Sequence, residues 1–275
     1  MKKYIFTVLL AVFALTSFAG KAQDLPFGDG EQLRYTVHYR ALFNADLASL
    51  TMNCQQEGDS LHVIVDIATF KFWDSFYQMR DRYETWFLPT PNLQPGSYHR
   101  DIKEGKYWAK NWFSWSEDGK CLHAISDKRR GIRDTVITGP VVIRDVINAI
   151  YTMRAADFAA MEQGQPLDVR ATLDRDIFDM TVSFVTREVM RVEGKSYNTV
   201  KLSVMLKPIL MDVHDTGSEV SLQSGDKFST IYFWITDDDN RIPVYFSTNL
   251  KVGSVRGRLV EVSGNKYPLT SLEQK

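Results

Sequence analysis

Aromatic rings are the residues of this chain best placed to do chemistry. Tyr107-Trp108-x-x-x-Trp112-Phe113-x-Trp115 is the densest run. On an extended segment, where side chains alternate between two faces, Tyr107, Phe113 and Trp115 share one side and Trp108 and Trp112 the other. A half-buried strand needs only one apolar face. Rings on both sides are therefore either covered by protein on each side or present one side to a ligand, where flat rings suit an acyl chain or a sugar. Phe70-Lys71-Phe72-Trp73 and Phe76-Tyr77 form a second cluster. Core filling accounts for most of these rings, and Trp73, Tyr107, Trp108, Trp112 and Trp115 are the binding candidates.

Nucleophilic chemistry finds no motif. There is no Gly-x-Ser-x-Gly elbow and no cysteine beside a histidine in a recognisable signature, although distant residues can assemble a triad through geometry alone. Glycoside hydrolysis needs two carboxyl groups about 5–10 Å apart, for which Asp74, Asp81, Glu84 and Asp101 are available. His-Glu-x-x-His is absent, and His38, His62, His99, His123 and His214 are scattered. Asp212-Val213-His214-Asp215 is the local cluster of metal-ligand types and reads as a solvated polar loop. Asp237-Asp238-Asp239-Asn240 lacks the central glycine and terminal glutamate of an EF-hand loop; it reads as an acidic hairpin turn partly neutralised by Arg241. Lys128-Arg129-Arg130-Gly131-Ile132-Arg133 has the charge to hold a phosphate, but Gly131 marks a solvated hairpin tip flanked by Asp127 and Asp134. No catalytic residue, metal site or cofactor is expected.

Strands must position these residues. Alternation of apolar and polar side chains marks residues 33–39, 47–54, 61–70, 79–88, 94–100, 106–115, 121–126 and 132–137. After a break it resumes at 167–173, 178–192, 198–206, 228–236, 242–250 and 254–262. Gly58-Asp59, Glu104-Gly105, Asp118-Gly119 and Arg130-Gly131 supply turns at hairpin spacing. The break, residues 141–161, carries Val142, Val146, Ile150, Met153 and Phe158 at helical steps. Asp145 lies early in it and Arg154 late, as the helix macrodipole favours. It is the one helix expected, ended by Gln163-Gly164-Gln165-Pro166, and residues 212–225 read as an exposed excursion. These elements predict an all-β, mainly antiparallel fold: a strongly curved sheet or open barrel wrapped around one central α-helix, forming a single domain over residues 23–275.

The N-terminus addresses the chain. Met1-Lys2-Lys3, an apolar run at 4–18 and the small residues of Ala19-Gly20-Lys21-Ala22 make residues 1–22 a secretory signal peptide. The run is shorter than the about 20 residues of a comfortable membrane span. The first cysteine is Cys54, so the lipid anchor of a bacterial lipoprotein is not expected. Cleavage before Gln23 leaves 253 residues; losing Lys2, Lys3 and Lys21 reduces 33 basic residues to 30 against 34 acidic ones, a net charge of −4. That balance gives no electrostatic reason to bind nucleic acid and lacks the polybasic character of a membrane-surface binder. Hydrophobic content of 44% supplies a large core. Cys54 and Cys121 fit either a disulfide, permitted in an oxidising compartment, or two separate thiols, since sequence separation says nothing about Cβ distance.

Several short features stand in order along the chain. Phe27-x-x-Gly30-Glu31-x-Leu33-x-Tyr35 opens the exported part, Asp81-x-Tyr83 follows in a strand, and Asp145 through Tyr151-x-x-Arg154 occupies the helix. Trp234-Ile235-Thr236-Asp237 and Arg241-Ile242-Pro243-Val244 stand near the end. In these features the chain resembles, over essentially its whole exported length, the exported bacterial family catalogued as domain of unknown function 3108. The resemblance implies a β-rich periplasmic or envelope-associated protein and supplies no catalytic residues. The expectation is a soluble periplasmic, noncatalytic protein with no integral membrane span in its exported form. It would bind a hydrophobic or amphipathic envelope molecule, lipid or glycolipid in class, or an envelope protein. An envelope polysaccharide or ester hydrolase and a structural or assembly factor are the competing readings.

Overall fold

The computed structural model describes residues 24–40, 44–129, 131–173, 176–209, 213–215, 229–250 and 252–273. Eight strands come first: β1 (Gln32–Arg40), β2 (Asn44–Glu57), β3 (Ser60–Thr69), β4 (Arg80–Phe87), β5 (Pro95–Glu104), β6 (Tyr107–Trp115), β7 (Cys121–Lys128) and β8 (Gly131–Thr138). A single helical turn, α1 (Lys71–Asp74), interrupts them between β3 and β4. The chain continues through β9 (Ile143–Asp145), α2 (Val146–Ala155) and α3 (Phe158–Glu162). The remaining strands are β10 (Leu167–Leu173), β11 (Asp176–Val192), β12 (Lys195–Ile209), β13 (Val213–Asp215), β14 (Ser229–Thr236), β15 (Pro243–Asn249) and β16 (Ser254–Ser263).

All of these strands join one sheet in the order β13-β8-β7-β6-β5-β4-β3-β2-β1-β16-β15-β14-β12-β11-β10-β9. Pairing is antiparallel except for β9 with β10, whose parallel alignment follows from the helical crossover between them. Connectivity forces the sheet to curl. Strands β8 and β9 are fourteen places apart in that order, about 67 Å if the sheet were flat. Yet Thr138 and Ile143 are five Cα steps apart, at most about 19 Å. Among the described residues no ladder joins the edge strands β13 and β9. Instead Ile143 donates its N–H to the Gly119 carbonyl at 2.9 Å, and the barrel stays open.

Register divides the connections between two ends. At one, which carries α1, lie the β1–β2, β3–β4, β5–β6, β7–β8, β10–β11 and β15–β16 turns. The other end holds the β2–β3, β6–β7, β11–β12 and β14–β15 turns, with residues 24–31 and 264–273 packed beside it. There Gly30 N–H bonds the Cys54 carbonyl and Asn198 N–H the Ser271 carbonyl.

The stretch 141–161 differs from its expected single helix. Residues 143–145 are strand, because Ile143 and Asp145 pair with Arg170 and Thr172. Asp145 then caps α2, accepting from the N–H groups of Ile147 and Asn148, and Asp157 caps α3 in the same way. Two acidic caps twelve residues apart make two short helices instead of one long one. The α1 turn adds a third where sequence alternation gave no helical signal. Cys54 and Cys121 are separate thiols: Cys54 belongs to the buried core, whereas Cys121 precedes buried Leu122 and therefore points to the opposite face of its strand.

Candidate functional site

Helix α2 carries two apolar stripes. Ile147, Tyr151 and Arg154, at i, i+4 and i+7, face one buried cluster, with Phe27, Leu33, Tyr35, Phe87, Tyr98 and Phe113. Ala149 and Met153, flanked by Ile150, face the other, with Val169, Ala171, Met180, Val182, Val204 and Ile235. The spacing follows from 3.6 residues per turn.

The second stripe leaves space. Val146, Ala149, Ile150 and Met153 of α2 and the inward residues of four adjacent strands bound a partly enclosed cavity of about 110 Å³. The strands supply Ala171 and Thr172 (β10), Phe178 and Met180 (β11), Val204 and Leu206 (β12), and Ile231 and Phe233 (β14). Only apolar surface is presented to the space. A dry cavity of about 150 Å³ lined by Leu, Ile and Phe holds benzene, so this one has room for the terminal carbons of an aliphatic chain. It offers no polar group for catalysis or for a metal.

The first stripe is sealed by charge. Arg154 and Glu31, each 1% exposed, form a two-pronged ion pair with both N···O distances at 2.7 Å. The remaining Arg154 donors reach the carbonyls of Asn240 (3.0 Å) and Arg241 (2.9 Å). The guanidinium lies over the rings of Phe27 and Tyr151, 5.0 and 5.1 Å from their centroids. Burial pulls the Arg154 pKa down, but Glu31 more than offsets it and holds the group above its usual value. Arg241 turns inward while still feeling the charge of Asp239 and Asp237 in the acidic turn beside it. Its guanidinium donates to the Arg154 and Ala156 carbonyls at the end of α2 and covers the Phe158 ring. Burial pushes the neighbouring Cys54 thiol up to about 12. At the other end of α2 the fully buried Asp145 takes a 2.7 Å bond from the Thr85 hydroxyl, and desolvation raises its carboxyl to about 6. Glu31, Asp145, Tyr151, Arg154 and Arg241, dispersed in sequence, thus converge on α2.

The ring candidates are not brought together, and none lines the α2 cavity. Trp115 packs half-buried beside Phe113, their centroids 6.5 Å apart. Trp108 and Trp112 lie on the outer face of β6, and Tyr107 is exposed at its start. Trp73, in α1, donates its indole N–H to the Asp46 carbonyl at 2.7 Å. The outer face also carries a row that sequence reading missed: His62 stacks on Trp86 at 4.0 Å, and Trp86 lies 5.0 Å from His99, which pairs across the strands with Trp112.

The carboxylate candidates are engaged individually. Asp74 binds Arg80, Glu84 faces His62, and Asp101 faces Lys103 and Lys110. Asp81 accepts the Lys103 N–H at 2.9 Å; its carboxyl is raised to about 6, first by burial and then by neighbouring Glu104. Asp238 holds the acidic turn together, accepting from the Thr236 hydroxyl and from the N–H groups of Asn240 and Arg241. Asp212 and Arg130, with the side chains of Val213–Asp215, lie outside the described residues, so the candidate ligand cluster there and part of the basic run have no structural account. Among the described residues no group of three or more His, Cys, Asp or Glu side chains is placed to hold a metal. No described helix is long and apolar enough to cross a membrane.

An open antiparallel sheet with a charge-clamped helix and an apolar cavity defines a β-barrel-like protein. The chain belongs to the family described as "Protein of unknown function (DUF3108)", which it matches over residues 34–260. It is similar in fold to the crystal structure of a β-barrel-like protein of domain of unknown function DUF1849 from Brucella abortus. That match has a TM-score of 0.57 and 11% identity, covering 86% of this chain and 98% of that one. A structure from Parabacteroides distasonis ATCC 8503 matches at TM-score 0.34 and 8% identity, covering 87% and 97%, a likeness too low to carry an argument. No curated protein sequence matches the chain.

Proposed function

We propose that this protein is exported to the periplasm, where it binds, without catalysis, the apolar chain of an amphipathic envelope molecule. The cavity between α2 and strands β10, β11, β12 and β14 carries this reading, because its walls present only apolar surface. Interiors normally pack to crystal density, and an apolar void forfeits the contacts its walls would otherwise make. A ligand chain restores them. The reading includes a sheet that curls around α2, supported by the division of α2 side chains between two clusters. It also includes a single domain after the leader at residues 1–22. Lipid extraction of natively purified protein followed by mass spectrometry tests it. An acyl-bearing species near one equivalent is expected; an empty extract, from protein whose crystal structure shows the cavity closed by its own side chains, would contradict it.

A further inference from the structure

The two ends of the sheet differ in charge and in exposed apolar surface. At the end away from α1 the turns are acidic: Glu57 and Asp59, Glu117 and Asp118, Glu193, and Asp237 to Asp239. At the α1 end Lys71, Lys106, Arg129 and Lys207, with Arg40, Arg80 and Arg133, outnumber the exposed Asp46, Asp134 and Asp176 in or beside the connections. The net charge of the exported chain conceals this separation.

The same basic end carries the most exposed large apolar side chains. Phe76 is 74% exposed, Ile132 72%, Phe72 69% and Val252 62%. They come from the β3–β4, β7–β8 and β15–β16 connections, which lie at the same end of the sheet. Tyr39 of β1 bonds the Val252 carbonyl, Trp73 bonds the Asp46 carbonyl beside the β1–β2 turn, and Gly105 bonds the Gln78 carbonyl below α1. The Phe72, Trp73 and Phe76 rings pack on one another at the tip, with centroids 5.0–6.1 Å apart. Rings and aliphatic tips projecting beside cations match a bilayer interface, where apolar side chains enter the acyl boundary and Lys or Arg meets anionic headgroups.

We propose that the α1 end is a docking surface for an anionic lipid bilayer, with Phe72, Phe76, Ile132 and Val252 inserting and Lys71, Lys106, Arg129 and Lys207 contacting headgroups. This surface requires no cargo, so it stands whether or not the cavity under α2 binds a chain. The acidic turns at the far end point away from the membrane and fix the orientation.

The test is co-sedimentation of the chain from Gln23 onward, which retains every described strand and lacks the apolar leader that would itself insert. Vesicles are of equal parts phosphatidylethanolamine and phosphatidylglycerol, or of phosphatidylcholine alone. Binding is expected to the anionic vesicles only, and to weaken with salt. Phe72→Ser with Phe76→Ser is expected to lower the partition coefficient about tenfold. Lys71→Glu and Arg129→Glu should each lower it by at least about fivefold. Val189→Ser removes another exposed apolar residue, near the other end and 53% exposed, and is expected to change nothing. Circular dichroism checks that each exposed-site variant is folded. Wild-type protein that stays in the supernatant with anionic vesicles would overturn the proposal, as would folded Phe72/Phe76 variants that bind undiminished. Ultracentrifugation showing a dimer that those variants dissolve, without vesicle binding, would assign the surface to a second copy instead.

Discussion

The two faces of α2 meet the same sheet in opposite ways. Toward Tyr151 rings pack edge to face, and the Glu31–Arg154 pair takes up the buried charge. Toward Ile150 and Met153 the interior is purely apolar and incompletely filled. A helix that lines a cavity loses contacts on that side, and the clamp on the opposite side supplies a fixed position that does not depend on filling it. A buried ion pair is a poor source of net stability but a strong determinant of geometry once formed, since separating the partners leaves a charge unsolvated.

The largest effect should come from the clamp. Arg154→Met strands the Glu31 carboxylate and is expected to cost about 3–5 kcal/mol in urea unfolding, while Glu31→Leu combined with Arg154→Met recovers much of the loss. Equal costs for the single and double variants would break the comparison.

Next comes the capped end of α2. The Asp145 carboxyl titrates near 6 in the folded chain, above its ordinary value, so the folded state binds its proton more tightly than the unfolded one. The resulting stabilisation is complete below about pH 4 and is lost as pH rises through 6. Asn caps as well as Asp, so Asp145→Asn should gain on the wild type between pH 4 and 7, by at most on the order of 3 kcal/mol. Asp81 titrates in the same window and leaves some slope in the variant. A stability difference that is flat with pH would contradict this.

One substitution made on each side sharpens the contrast further. Ala124→Leu, in the cluster around Tyr151, should cost about 1–3 kcal/mol through overpacking. Ala149→Leu points into the cavity and should be neutral within about 1 kcal/mol. The smallest signal is chemical: half-buried Cys121 should react with a thiol reagent at pH 8 in native protein. Cys54, buried and held up to about 12, should react only after denaturation.

Strand alternation was highly legible because half-buried strands record their two faces in sequence with period two. Leu33 and Tyr35 against Gln32 and Arg34, or Ala109, Asn111 and Phe113 against Trp108, Lys110 and Trp112, are direct examples. Helix boundaries were less legible, because β9 and α2 both carry apolar residues at steps that overlap. Asp157 as a second cap was readable as an acidic N-cap type just before Phe158, but it sat inside the apolar pattern. The cavity was hidden for a different reason. Its walls are ordinary Val, Ile, Phe and Met residues, the types that fill a core, and only their three-dimensional placement leaves the space. The conspicuous tryptophans drew attention to the outer face and the rim instead. Likewise the partnership of Glu31 with Arg154, 123 positions apart, had a sequence trace only in two dispersed features, with nothing to say that they meet.

The most direct test of the binding claim is a fluorescence titration of the chain from Gln23 onward with a polyene fatty acid, comparing wild type with Ala149→Leu of matched unfolding midpoint. The account expects saturable binding near one equivalent in the wild type and at least about tenfold weaker binding in the variant, whose leucine occupies the chain's place. A wild type that binds nothing, or a folded variant that binds just as tightly, would contradict it.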